Sequence, residues 1–329
     1  MRWTVQFDCH TRLGRLLLPA ILVAIPLQPA RAAVSPKELL ETGYADEAIQ
    51  SLEQKISHSP DDAESFNLLC RAYFMIDEWD RGIKACERAN KLDPQKSLYH
   101  LWLGRIYGEK ADRAGFLSAA GLAKKVRNSF ERAVELDPRS WEARTDLAEF
   151  YLQAPAIVGG GQDKARAQAD ALLPINPAMA HWVLARIAAK NKDFAGAERE
   201  YRAAIEASHG TAQNWLHLAQ FLAHTNRLDE MEQALRTMES SPVDRPDSLM
   251  DGASLLLHIG RNYPMAVRLL RRYLLSPAEE GPAFKAHDFL GLLLEKQGDR
   301  RAAAEQYRAA LALFRGYTRA QEDLKRVDY

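Results

Sequence analysis

The residues of this chain that could do chemistry are a glycine triplet with a lysine behind it, a scatter of histidines and a few cysteines. Gly159-Gly160-Gly161 followed by Lys164 has the composition of a phosphate cradle. Such a loop needs a Gly-Lys-Ser/Thr ending after a strand, whereas Lys164 precedes Ala165 and the segment before the glycines has helical periodicity. The triplet reads instead as a turn: Pro155 ends one helix, the glycines accept positive φ, and Asp163 falls near the next helix start, where a carboxylate is favoured. Among the histidines, His217 and His224 lie seven apart, but no third ligand follows at metal-site spacing. No Ser/His/Asp set or carboxylate pair stands out from the acidic residues on solvated helix faces. The sequence therefore predicts no catalytic residues, no metal and no cofactor.

Compartment and charge narrow the classes further. Arg2, Arg12 and Arg15 precede an apolar run from Leu16 to Leu27, and Ala30-Arg31-Ala32 offers small residues for cleavage. Residues 1–32 are expected to be a signal peptide cut after Ala32, leaving an exported, periplasmic or extracellular chain. The apolar run carries Pro19 and Pro26 and falls short of the roughly 20 residues a spanning helix needs, so no stable membrane insertion is expected after cleavage. Cleavage removes four arginines and one aspartate, so 44 basic and 44 acidic residues become 40 and 43. That near-neutral balance argues against a nucleic-acid partner.

Step back from single residues and a repeat governs the chain. Proline at 60, 94, 138 and 177 closes successive helix-like stretches, and Pro60 to Pro94 spans 34 residues. Phe66, Leu69, Cys70, Tyr73, Gly82, Cys86, Ala89 and Pro94 give an aromatic, small, aromatic, small pattern. It recurs through Leu103, Gly104, Tyr107, Phe130 and Ala133, and through Leu147, Ala148, Tyr151, Ala165 and Ala169. Later copies hold Leu184, Ala185, Ala197 and Tyr201, then Trp215, Leu218, Ala219 and Leu235. A degenerate unit around Leu257, Ala266 and Leu270 precedes one with Leu290, Gly291, Ala303 and Tyr307. Small residues let two helices approach to about 8–10 Å while an aromatic one turn away fills the gap. These slots resemble those of exported bacterial tetratricopeptide-repeat proteins, over the whole chain after the signal. The resemblance implies an all-α solenoid, a right-handed superhelix of antiparallel helix pairs. Its units are expected near residues 37–62, 63–96, 97–140, 141–177, 178–211, 212–246, 247–283 and 284–317, with a capping helix over 318–329.

The array breaks its own period twice. Pro94 to Pro138 is 44 residues and Pro138 to Pro177 is 39, and both extra lengths are expected between the two helices of their units, at residues 108–125 and 153–164. Turns inside a unit line one edge of a solenoid, so the insertions are expected to be neighbours. Phe116, Leu117, Lys124, Lys125, Ile157, Val158 and Lys164 make up this candidate binding edge, and packing onto lengthened helices is the competing account.

The resemblance also places a groove. First helices line the concave side, which puts Arg71, Arg105 and Arg186 at one inward slot and Trp102 and Trp182 at another. Arginine and tryptophan are frequent interface anchors, and neutralisation of the arginines by Asp146 or Glu149 is the alternative. The pattern sets Cys70 and Cys86 in facing slots of one unit. In an oxidising compartment this implies a disulfide, the alternative being two small residues filling a crossing. The expected function is a noncatalytic scaffold of the cell envelope that binds a protein or peptide segment on the concave face and inserted edge. A ligand- or lipid-handling accessory subunit, with the insertions lidding a closed apolar pocket, is the second reading.

Overall fold

The computed structural model describes residues 34–277 and 282–328, with the backbone alone at Phe116 and Leu117. The signal-peptide assignment, residues 1–32, lies outside the described residues. α1 (Pro36–Glu41) pairs with α2 (Ala45–His58), α3 (Ala63–Met75) with α4 (Trp79–Leu92), and α5 (Ser97–Asp112) with α6 (Phe116–Leu136). α7 (Trp141–Gln153) pairs with α8 (Gln162–Leu172), α9 (Pro177–Lys190) with α10 (Phe194–Ala207), and α11 (Ala212–His224) with α12 (Leu228–Ser240). α13 (Asp247–Ile259) and α14 (Tyr263–Leu274), then α15 (Ala283–Lys296) and α16 (Arg300–Leu313), complete eight pairs, and α17 (Thr318–Val327) packs on α15 and α16 as a cap. The described residues contain no strand. This is an all-α solenoid of the tetratricopeptide type.

Local chemistry sets the helix ends. Asp62, Ser140, Asn176, Asp193 and Asp299 each accept a bond from a backbone N–H of the first turn they precede, satisfying a donor the helix cannot. Asp93-Pro94 and Asp137-Pro138 stop α4 and α6, because the residue before proline is pushed out of helical geometry. In five units the same slot, just after the first helix's C-cap, is left-handed: Gly43, Asp77, Lys192, Asn226 and Gly298; the fourth and seventh units place Gly159, Gly260 and Asn262 in that conformation elsewhere in their turns.

The crossings are as tight as the small-residue slots require. A side chain on Gly104 would collide with the Phe130 ring, and one on Gly291 with Tyr307. In the degenerate unit Gly252 of α13 makes a tight contact of another kind, against Met238 and Leu235 of α12 in the preceding unit, and Leu257 is only half-buried. Cys70 and Cys86 are fully buried and joined by a disulfide that ties α3 to α4.

One regularity is new. Tyr73 donates to Glu53, Tyr107 to Glu87 and Tyr151 to Glu131, always from a first helix to the second helix of the preceding unit and always across 20 residues. Burial, then the adjoining carboxylate, pushes all three phenols well above their usual value, so they stay protonated donors. The tyrosine slot thus locks one unit to the next as well as filling a crossing.

Candidate functional site

The first extra segment is not a loop. Its ten residues extend α5 to Asp112 and start α6 at Phe116, leaving a turn at residues 113–115; this corrects the placement of the insertion between the helices. The second is a short 3₁₀ turn, Ala156–Val158, and the three glycines. Gly159 is left-handed, and Gly160 lies so close to the Ala154 carbonyl that no side chain fits. Arg127 of α6 donates to the Val158 carbonyl at 3.3 Å, which brings the two insertions together.

Between α5 and α7 they help to form a cavity of about 570 Å³. Ala119, Ala123, Val126 and Phe130 of α6 line it, together with Gly108, Phe150 and Gln153. Of the edge residues named from sequence whose side chains are described, none lines it. Val158 is buried, Lys164 donates to the Gly159 carbonyl over the Tyr151 ring, and Lys125 sits over Tyr107. Ile157, 89% exposed, and Lys124 face solvent; Phe116 and Leu117 lie on the first turn of α6. The cavity is built by the small and polar residues of the insertions, not by Ile157 or Val158.

This cavity shares Arg105 with a second of about 780 Å³, lined by Arg71 and Trp102, and Gln153 with a third of about 580 Å³, lined by Trp182, Arg186 and His217. The three lie side by side along the inner helices, from Lys37 to Asp251, with Arg105 and Gln153 as shared walls. The candidate arginines all line this inner groove, but not as free forks. Arg105 Nε pairs with Asp146 at 2.7 Å, Arg186 pairs with Glu149, and Arg71 and Arg105 both lie over Trp102, at 4.9 and 5.0 Å. For Arg105 and Arg186, neutralisation by the acidic neighbours is what the structure shows. The tryptophans are not equivalent either: Trp102, three residues before its arginine, is 3% exposed and edge-on to Phe74, whereas Trp182, four before, is half-buried against His217.

The electrostatics of the groove come from groups outside the candidate binding residues named from sequence. His217 is buried; desolvation, with Arg186 and Arg245 adding to it, pushes its imidazole down to about 3, so it is neutral. The Gln213 amide donates to His217 Nε2 at 2.8 Å, which leaves the ring proton on Nδ1, and that atom has no protein partner. Glu149 Oε2 is likewise buried without a donor. Asp251 is reached by solvent but walled in, and desolvation, reinforced by Asp247, raises its carboxyl to about 6. His217 and Asp251 occupy inward slots on α11 and α13; the signal that finds them is a polar residue on the inner face of a first helix.

Among the described residues no group of His, Cys, Asp and Glu could hold a metal, and no helix is long and apolar enough to cross a membrane.

Two tetratricopeptide-repeat family models match the sequence, over residues 39–106 and 183–244. No curated protein matches it. Among solved structures, yeast Tom70 aligns with a TM-score of 0.52 at 15% identity, over 86% of this chain and 58% of that one, so the chain spans less than two thirds of Tom70. A thermophilic TPR protein of Thermus thermophilus aligns at 0.48 with 18% identity, over 57% of this chain and 95% of that one. A tetratricopeptide repeat protein from Parabacteroides merdae aligns at 0.41 with 15% identity, over 89% and 99%. At such identities the likeness is one of fold.

Proposed function

This chain is a tetratricopeptide-repeat protein, and on that premise we propose that it is a noncatalytic scaffold that holds an extended segment of a protein partner in its inner groove. The observation that carries the reading is the pair of unmatched polar atoms beside Arg186. Glu149 Oε2 is an acceptor without a donor, and His217 Nδ1 is a donor without an acceptor. A peptide backbone supplies both an N–H and a carbonyl at every residue, and burying either group unpaired costs about 1–3 kcal/mol. Because Asp146 and Glu149 already neutralise Arg105 and Arg186, the groove favours main-chain and apolar contacts over a carboxylate-rich segment. The three cavities lie in a row with shared walls, and Ile157 lids none of them, which favours an extended segment over an enclosed lipid or small ligand. We further propose that the scaffold works in an exported, oxidising setting of the cell envelope, where the Cys70–Cys86 bond would persist.

A photo-crosslinking residue placed in turn at Gln153, at Gln220 and, outside the groove, at Lys84 tests the reading in intact cells. One partner captured through the same short segment from Gln153 and Gln220, with less adduct in Glu149→Gln and His217→Leu variants of unchanged helicity, is the expected result. Equal capture from Lys84 would overturn it.

A further inference from the structure

The solenoid comes round far enough for its beginning to touch its end. Lys285, near the start of α15, reaches both carboxylate oxygens of Asp77, in the α3–α4 turn 208 residues away, at 2.9 and 3.1 Å. The backbone N–H of Arg315, in the α16–α17 link, donates to Asp46 of α2 at 2.9 Å, and the Arg315 side chain lies 3.6 Å from the same oxygen. Leu40 shares an apolar cluster with Ala283 and Phe284.

Gly43 shows that this contact shapes the sequence. It occupies the left-handed turn slot that Asp77, Lys192, Asn226 and Gly298 fill in other units, at φ of 63°, 63°, 60° and 88° respectively. Gly43 itself lies at 83°, near Gly298 and beyond the 60–63° of the aspartate, lysine and asparagine, so backbone geometry favours glycine here without excluding another residue. What demands it is Ala283, whose Cβ would lie 2.5 Å from a Cβ on residue 43. Gly298, in the same slot of the eighth unit, has open space around it.

We propose that this seam is a latch, closed by charge and a small-residue contact, that holds the superhelix in a tight turn and opens to admit a partner to the groove. The signs favour closure: acidic Asp46 and Asp77 on the first two units, basic Lys285 and Arg315 on the last unit and its link. Both ion pairs are solvent-accessible, with Arg315 84% and Asp77 47% exposed, so salt screens them. Each unit packs on the next through at least one pair of helices, most loosely between α11 and α13, whereas among the described residues no pair of helices packs across the seam, so the seam is the weakest joint of the turn. The partner-admitting role rests on the reading of the groove above; the latch itself does not.

Hydrogen exchange and small-angle scattering on the full chain, without partner, test the latch. Gly43→Asn keeps the turn, as Asn226 does, but wedges Ala283; it should speed exchange in α1, α2 and the first turn of α15 and enlarge the radius of gyration. Gly298→Asn carries the same left-handed strain but has room around it, so it should leave exchange in α1 and α2 and the radius of gyration unchanged. Asp77→Lys should speed exchange at the same helices by about two- to thirty-fold, and adding Lys285→Asp should restore it. High salt should act on the wild type as Asp77→Lys does. Unchanged exchange in both Gly43→Asn and Asp77→Lys, or acceleration spread evenly over α7–α12, would overturn the latch. Because no partner is present, that failure is separate from a failure of groove crosslinking.

Discussion

Replacing Cys70 and Cys86 together by alanine probes the one covalent link in the array. The bond closes a loop between residues 16 apart, and a loop of that size removes unfolded-state entropy worth about 3 kcal/mol. Alanine leaves little cavity, since Ala148 and Ala185 fill the slot of Cys70 in the fourth and fifth units. A solenoid unit contacts only its neighbours, so the loss should stay local. Opening of α3 and α4 should become easier by on the order of 100-fold, with smaller changes in α2 and α5 and none in α9 to α14. Hydrogen exchange followed peptide by peptide reads this directly, whereas a single melting temperature would blur it. Less than about a fivefold change in α3 and α4 would refute the entropic estimate. Two thiols titrating in the unfolded, unreduced protein would refute the bond itself.

Three further substitutions test the packing account. Tyr151→Phe removes the bond to Glu131 and should cost about 1 kcal/mol, seen as faster exchange where α6 meets α7 and not where α9 meets α10. Gly160→Ala should cost more than about 1 kcal/mol in a thermal or denaturant melt, because the added carbon meets the Ala154 carbonyl, a backbone atom that cannot swing aside. Asp288 is fully buried, and desolvation raises its carboxyl to about 6 although Arg319 lies 3.0 Å away. A raised acid favours the protonated fold, so its contribution is complete below the unfolded value near 3.8 and lost as pH rises through 6. Asp288→Asn should therefore flatten the decline in melting temperature between about pH 4 and pH 7, by on the order of 1 kcal/mol; an unchanged slope would contradict this.

What could be read in the sequence was whatever lies within one helix pair. The spacing of Phe66, Cys70, Tyr73, Gly82 and Cys86 encodes a crossing that repeats, because the atoms that must interlock lie close together along the chain. The unit around Leu257, Ala266 and Leu270 is degenerate in sequence: Leu257 is only half-buried, while Ala266 and Leu270 are fully buried. The first insertion was legible as length but not as form: its alanines and lysines are strong helix formers, so the segment lengthened two helices instead of looping out. The arginine series was visible, as were Asp146 and Glu149 as acidic neighbours. Which alternative won depended on the rotation of α7 and α9 against one another, which spacing does not record. The Tyr–Glu links, at a constant 20 residues, were present in the sequence and became visible once the units were stacked.

The seam lies beyond the reach of pattern for a different reason. Each unit is rotated slightly against the one before, so the position of α15 relative to α1 is the accumulated result of seven such steps, and small errors in each are multiplied along the array. The two accessible ion pairs and one small-residue contact can form only once interlocked helix faces have brought the eighth unit near the first, and they then hold that turn closed. Gly43 carries the mark of this order of causes. Its turn accepts aspartate, lysine or asparagine in other units, and it is glycine because Ala283, far along the chain, arrives beside it. A glycine in a turn slot that other residues fill elsewhere, set against a Cβ from far along the chain, is thus the trace that long-range closure leaves in a repeat sequence, and it marks where a small substitution should alter the whole superhelix while leaving every helix intact.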